Sequence, residues 1–376
     1  MEINYEAKNP TRIKVFGVGG GGSNAVARMY QEGINDVELY IVNTDLQHLN
    51  FLSVPNKIHI GESSSRGLGA GSKPEVGREA AIESLDKIKE ALEGADMVFI
   101  AAGLGGGTGT GASPVIAQAA KEMGILTVAV VTKPFSFEGK VRYRIAEEGL
   151  EELKEKVDTY LVIHNDRLLQ VAGKNVSFAN AFKLVDNILY RSVKGITDMI
   201  MVPALINPDF ADVKTVMENA GKALIGIGVG RDEDKIESAV ESATSSPLLE
   251  GTSIQGAKRL LVNVEVSMDL SFQEVNEIVS KIRDLVHEEA HIIFGASMLQ
   301  DVEDEIRVTV IATDFGEHGK SWHTTKQSKK SLTKPPVVIK EPSKPEEKDI
   351  KPIIEEFSYE DLEIPPWIRK GKGNIS

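Results

Sequence analysis

The stretch Ala101-Ala102-Gly103-Leu104-Gly105-Gly106-Gly107-Thr108-Gly109-Thr110-Gly111 is made almost wholly of glycines and threonines. Glycines let a backbone turn sharply and point consecutive N–H groups at one spot with no Cβ in the way. The residues that follow, Ala112 to Ala120, read as a helix with Pro114 in its first turn, and a helix N-terminus adds partial positive charge. Such a combination holds phosphate. No Lys-Ser or Lys-Thr pair follows the glycines, so the holding falls to backbone donors, hydroxyls and a metal ion. A flexible linker has a similar composition, but linkers rarely join a hydrophobic strand to a well-formed helix.

A second cradle lies near the start. Gly17, Gly19 and Gly22 satisfy the dinucleotide fingerprint, Ser23 and Asn24 follow, and Asp45 supplies an acid at about the right distance. Taken alone, this reads as a nucleotide-dependent oxidoreductase. A dehydrogenase has no use for a second, longer glycine run, whereas two loops can wrap the three phosphates of one nucleotide. A third glycine-rich segment, 66–77, precedes a helix beginning near Pro74; it reads equally as a lid on the outer phosphates or a plain connection.

Two further groups carry chemistry. Phe182 and Asp186 are one turn apart on a helical pattern and share a face, so a ring and a carboxylate could meet one planar ligand. Guanine fits them: its N1–H and exocyclic amine are adjacent donors for one carboxylate, and adenine has no donor at N1. A core phenylalanine beside a satisfied aspartate is the plainer reading. The run Asn207-Pro208-Asp209-Phe210-Ala211-Asp212 opens another helix, where the acids could orient water or simply serve as N-cap and first-turn acid.

These groups must be held by a scaffold. Apolar runs at 12–16, 38–42, 97–100, 126–131 and 159–163 read as strands, and 74–92, 141–155 and 177–201 as helices. The alternation predicts an α/β fold with a doubly wound parallel sheet and ligands at the strand C-terminal ends. Helix 177–201 carries apolar residues from Phe178 to Ile200 on a wide stripe and is expected to be buried on more than one side. Beyond it, strands at 223–229, 258–267, 291–294 and 306–312 with helices at 233–243 and 271–286 predict a smaller α+β domain. From 316 to 356 the chain turns to Lys, Pro, Ser and Glu and cannot bury enough to fold. Leu362, Ile364, Trp367 and Ile368 then return, as in a peptide that docks on another protein; an inert tail looks the same.

Whole-chain properties narrow the classes. The 376 residues leave room for two domains and a tail, and a net charge of −13 argues against nucleic acid as partner. With no cysteine there is no disulfide, thiolate metal site or cysteine nucleophile. No signal peptide or bilayer-spanning run is evident, so a soluble cytoplasmic protein is expected.

At 12–315 the residues resemble the FtsZ family of tubulin-like bacterial cell-division GTPases, on Gly105 to Gly111, on the loop Asn207 to Asp212, and on Ile364-Pro365 in the tail. The resemblance implies an N-terminal extension (1–11), a GTP-binding Rossmann-like domain (12–176), a central helix (177–202), a C-terminal α+β domain (203–315), a disordered linker (316–356) and a partner-docking tail (357–376). It implies GTP or GDP with Mg²⁺, held by Gly20, Gly21, Gly22, Ser23 and Asn24, by Ala70 and Gly71, and by Gly107, Thr108 and Gly109. Glu138 and Arg142 would face ribose and phosphate, and Asn165, Phe182 and Asp186 the guanine. Asn207, Asp209 and Asp212 would be catalytic, completing the site of a neighbouring subunit in a head-to-tail homopolymer. The tail would bind membrane-tethering and regulatory division proteins at the mid-cell ring, with no direct membrane insertion. Three departures stand out: Ser23 replaces a common asparagine, Pro208 a leucine-like residue, and Pro366-Trp367 the usual small and phenylalanine-like residues.

Three readings follow. A polymerising GTPase needs the two phosphate loops and the acidic pair; a nucleotide-binding scaffold needs no acidic pair; an oxidoreductase needs a nicotinamide site and one loop.

Overall fold

The computed structural model describes residues 11–315 apart from 35, 173–176, 203, 232–233, 246–253, 268–270 and 299–303. The readings of 1–10, of the linker and of the tail lie outside the described residues.

In chain order the elements are β1 (Ile13–Val18), α1 (Gly19–Glu32), β2 (Val37–Asn43), α2 (Leu46–Phe51), β3 (Asn56–His59), α3 (Pro74–Glu83), α4 (Leu85–Leu92), β4 (Met97–Gly103) and α5 (Thr108–Glu122). Next come β5 (Leu126–Lys133), a 3₁₀ turn (Ser136–Glu138), α6 (Lys140–Lys154), β6 (Thr159–His164), α7 (Asn165–Ala172) and α8 (Phe178–Met201). The last are α9 (Phe210–Met217), β7 (Gly221–Arg231), α10 (Lys235–Thr244), β8 (Arg259–Val266), α11 (Phe272–Arg283), β9 (His291–Met298) and β10 (Glu305–Thr313).

The strands run in the order β3-β2-β1-β4-β5-β6-β7-β10-β8-β9. The first six are parallel in the order 3-2-1-4-5-6, the doubly wound arrangement, and the order reverses between β1 and β4. Both glycine cradles hang from the carboxyl ends of these two strands, in the crevice where such sheets bind ligands. Alternation along each strand builds the two faces. Ile13 and Val15 of β1 with Met97 and Phe99 of β4 pack beneath α1 and α8, while Phe16, Val18, Val98 and Ile100 pack beneath α3 to α6.

β6 pairs in parallel with β7 over Thr159 to Leu161, so the ten strands are continuous, and helix α8, 24 residues and about 36 Å long, packs against both the parallel and the mixed parts of the sheet. Val185, Ile188, Leu189, Val193 and Ile196 share one core with Leu261 of β8 and Ile311 of β10, and the methyl of Thr309 on β10 lies against Gly195. β10 runs antiparallel to β7 and β8, and β8 pairs in parallel with β9, giving a mixed region covered on its far face by α10 and α11.

The sequence expectations need three corrections. Pro114 is not in the first turn of its helix: α5 begins at Thr108, because the glycines themselves take up helical conformation. Pro114 therefore sits in the interior, where it leaves the Thr110 carbonyl without its helical N–H. The helix expected at 74–92 is two helices broken at Ser84, whose hydroxyl accepts the Gly61 N–H at 3.0 Å. Phe178 and Phe182, placed on the apolar stripe of α8, are 68% and 39% exposed, so neither is a core side chain.

Candidate functional site

The loops at the sheet's switch point converge. In α1 the first turn is Gly19 to Gly22, and the N–H groups of Gly20 and Gly21 have no helical acceptor. Gly19 has φ +70° and packs so closely on the second run that a Cβ would lie 2.7 Å from the Gly109 nitrogen. Only glycine meets both conditions there. Gly107, the residue before α5, is met by the third segment: a Cβ on it would lie 2.7 Å from that of Ala70 and 2.9 Å from the Lys73 nitrogen. Ala70 and Lys73 thus pack directly on the second glycine run. Thr108 is tied to the end of β2 by a 2.7 Å bond between its hydroxyl and that of Thr44, and Thr110 accepts the Gly105 N–H at 2.9 Å. The contacts of Gly19 with Gly109 and of Ala70 with Gly107 bring the three glycine-rich segments together as the candidate phosphate wall. Ser23 differs from its expected part: it is fully buried and donates its hydroxyl to the Gly17 carbonyl at 3.3 Å. That hydroxyl secures the loop to β1.

Glu138 and Arg142 stand beside this wall. Arg142 at the start of α6 packs its backbone against Gly105, and its guanidinium reaches Glu138 at 3.0 Å. Glu138 also accepts the Phe135 N–H at 2.9 Å. The pair holds the turn after β5 against the glycine run.

Of the base-side residues, Phe182 and Asp186 lie one turn apart toward the amino-terminal end of α8, and Asn165 opens α7. Phe182 packs edge-on against Phe135 at 5.4 Å and against Phe178 at 5.1 Å, leaving one side of its ring open. Asn165 at the start of α7 is 5% exposed, and its Oδ1 is buried with no hydrogen-bond partner among the described residues. No described donor bonds Asp186, and burial pushes its carboxyl up to about 6, with Arg28 opposing part of the shift. An orphaned acceptor, an unpaired carboxylate and a half-exposed ring are what a planar donor-bearing base would satisfy. These residues fit guanine.

Arg28 escaped the sequence reading. It lies on α1 one turn after Asn24, pairs with Glu32 at 2.8 Å, influences Asp186, and keeps its Nε buried without a partner among the described residues. Its i,i+4 pairing with Glu32 is the ordinary look of a surface helix, so no sequence signal marks it.

The acidic loop lies elsewhere. Asn207 donates its amide to the Val202 carbonyl at 2.8 Å, which ties the loop to the carboxyl end of α8, the end opposite the base-side residues. Asp209 accepts the Asp212 N–H at 2.9 Å and Asp212 accepts the Asp209 N–H at 3.3 Å, a reciprocal cap on α9. Each bond uses one carboxylate oxygen, so each exposed acid keeps one free. Pro208 is buried against Gly295 of β9, and Ile206 exchanges two backbone bonds with Ala296. Its rigid ring fits a loop already anchored on both sides. The acidic loop is thus anchored on β9, at the other end of the strand order from β1 and β4, and among the described residues no hydrogen bond or ion pair joins Asp209 or Asp212 to the glycine-rich loops.

Two glycine-rich loops at the switch point of a 3-2-1-4-5-6 parallel region, continued through β7 into a mixed region and spanned by one long helix, are the arrangement of a tubulin-like protein. Residues 12–173 match the Tubulin/FtsZ family GTPase domain, and residues 221–316 the FtsZ family C-terminal domain. The cell division protein FtsZ of Aquifex aeolicus is 53% identical over 365 residues, 97% of this chain and 98% of that one. Among solved structures, an empty FtsZ dimer from M. jannaschii superposes with TM-score 0.78 at 44% identity, covering 82% of this chain and 90% of that one. CetZ2 from Haloferax volcanii, a GTPγS-bound protofilament, shares the fold at TM-score 0.67 and 20% identity, covering 82% and 95%. The chain belongs to the FtsZ family and carries its GTPase domain. Among the described residues no helix is long and apolar enough to cross a membrane.

Proposed function

We propose that this chain is a GTP-hydrolysing protein that assembles head to tail into filaments at the division site, each subunit completing the catalytic site of the next. The observation that carries the proposal is the separation just described: phosphate cradles on the carboxyl ends of β1 and β4, the acidic loop anchored on β9 and on the carboxyl end of α8. Two carboxylates held permanently against a γ-phosphate would repel it. Delivered by a neighbour, they meet the phosphate only after GTP is bound.

Gly20, Gly21, Gly22 and Asn24, Ala70 and Gly71, and Gly107, Thr108 and Gly109 would grip the phosphates, while Ser23 holds the loop. Glu138 and Arg142 would face ribose and phosphate; Asn165, Phe182 and Asp186 would select guanine. Mg²⁺ arriving with the nucleotide would neutralise phosphate charge. The free oxygens of Asp209 and Asp212 would orient a water and accept its proton as it attacks the γ-phosphorus, with GDP leaving, and Asn207 holds the loop that presents them. Head-to-tail stacking is a heterologous contact that does not close, so it yields open filaments. Both the name of the Aquifex relative and the protofilament form of the Haloferax neighbour support this reading. GTP added to the purified chain should produce sedimentable filaments and ATP should not; equal pelleting with ATP, or none with GTP, would sink the proposal.

The tail carries a second expectation. Leu362, Ile364, Trp367 and Ile368 follow a polar spacer and suit docking on a membrane-tethering or regulatory division protein. Deleting 361–376 should leave GTP turnover and assembly intact and abolish capture of such a tether in a pull-down. Undiminished capture by the truncated chain would rule the docking role out.

A further inference from the structure

We infer that His48 is a positioning residue that fixes which way the Asn24 amide faces the nucleotide. The inference rests on the reading of 20–24 as a phosphate loop and adds a residue outside that loop. His48 lies in α2, and its ring joins two asparagines: Nδ1 is 3.2 Å from Asn43 Nδ2, and Nε2 is 3.0 Å from Asn24 Oδ1.

The directions of these bonds follow from their buried end. Asn43 is 3% exposed, at the carboxyl end of β2, and its Oδ1 accepts the Asp45 N–H at 3.3 Å. That bond turns the Asn43 NH₂ group toward His48. Because an amide NH₂ only donates, Nδ1 must be the acceptor, so the ring carries its proton on Nε2. Nε2–H can then only donate, and the Asn24 oxygen is drawn to it. What remains of Asn24, an exposed residue on the first turn and a half of α1, is its NH₂ group, turned away from the histidine. The backbone of α2 is itself pinned, since the His48 N–H donates to Asp45 Oδ1 at 3.0 Å. A directional chain thus runs from Asp45 N–H through Asn43 and His48 to Asn24. Its result is a side chain presenting only donors, the polarity that phosphate and ribose oxygens require. Without the histidine, the Asn24 amide can rotate and offer its oxygen to an anion instead.

Five variants of the full chain test this by calorimetric titration of the nucleotide-free protein with GDP. His48→Ala should weaken GDP binding roughly five-fold, about one hydrogen bond. Glutamine can place an N–H close to the position of Nε2, so His48→Gln should restore most of the affinity. Asparagine is too short to reach Asn24 from α2, so His48→Asn should behave like the alanine variant. Asn24→Ala should weaken binding by itself, and adding His48→Ala to it should change nothing further. Equal affinities for the parent, His48→Ala and His48→Asn would overturn the positioning role. So would an additive double variant, which would mean that His48 acts through the fold rather than through Asn24. If Asn24→Ala binds GDP like the parent, the loop is not a nucleotide contact; that outcome removes the underlying reading, and the inference with it.

Discussion

Asp212→Ala will bind GTP with parental affinity and lose hydrolysis by 10²-fold or more, the scale of a positioned acid–base group. The affinity is spared because the loop carrying Asp212 is anchored on β9 and on the carboxyl end of α8, whereas the chain's own phosphate cradles hang from β1 and β4. Mixing is more telling than the loss itself. A mutant subunit should silence its neighbour's nucleotide while its own is hydrolysed by whichever wild-type subunit follows. Mixing Asp212→Ala with Asp186→Ala, which keeps the acids but binds GTP weakly, should therefore give turnover that neither variant shows alone, whereas acids acting within one chain predict none. The cap on α9 sets a control. Asp212→Ala removes one of two reciprocal bonds and Asp212→Asn keeps an acceptor for the Asp209 N–H, so a purely structural role predicts full activity in the asparagine variant. The shared-site mechanism predicts that both are inactive. Full turnover in Asp212→Asn would place the residue with the cap alone.

Asp186→Ala should weaken GTP binding by about 10²-fold, because two guanine donors lose a charged acceptor in a partly dry site. Asp186→Asn should do at least as badly toward GTP, since half of the acceptor pair becomes a donor facing the exocyclic amine. Xanthine carries an oxygen at that position, so the asparagine variant should shift its preference toward XTP. The raised carboxyl gives a second handle. Only the ionised form accepts both guanine donors, and in the nucleotide-free protein burial holds the group's value at about 6. As pH falls through 6, GTP must expel a proton to bind, and affinity should drop by about ten-fold per unit below that point. The sign on stability follows from the same shift. Between the ordinary carboxyl value and about pH 6 the native nucleotide-free protein keeps a proton that the unfolded chain has lost, so its stability falls as pH rises across that window. A flat GTP affinity from pH 7 to pH 5 in the parent would detach Asp186 from the base.

Much of this site was legible in the residues, and the limits have physical causes. The two phosphate cradles could be read because each combines a buried strand, a glycine turn and a helix start, three local signals that agree. The order of the strands could not: nothing local makes β1 lie beside β4, yet that adjacency merges two loops into one site. The start of α5 was misjudged because glycine and proline both count against a helix interior, and here close approach to neighbouring backbone outweighs propensity. β3 is four residues with Lys57 and His59 among them, too short and polar to carry a period. The one-turn spacing of Phe182 and Asp186 is readable in the sequence alone. Asn165, Glu138 and Arg142 came only through family resemblance, since a buried orphaned oxygen or a paired surface charge has no signature in one dimension. Arg28 and His48 carry no signal for the same reason: their contacts are with residues distant in sequence, Asp186 for the one and Asn24 for the other.

The central claim is that no single chain holds a complete hydrolytic site, and turnover per subunit measured across protein concentration tests it most directly. At saturating GTP, phosphate release per subunit should be close to nil in dilute protein and rise steeply over the range where filaments begin to sediment. It should then level off as every cradle gains a neighbour's Asp209 and Asp212. Turnover per subunit that stays constant from below to above that range would mean the acids act within one chain, and the account of a shared site would be wrong.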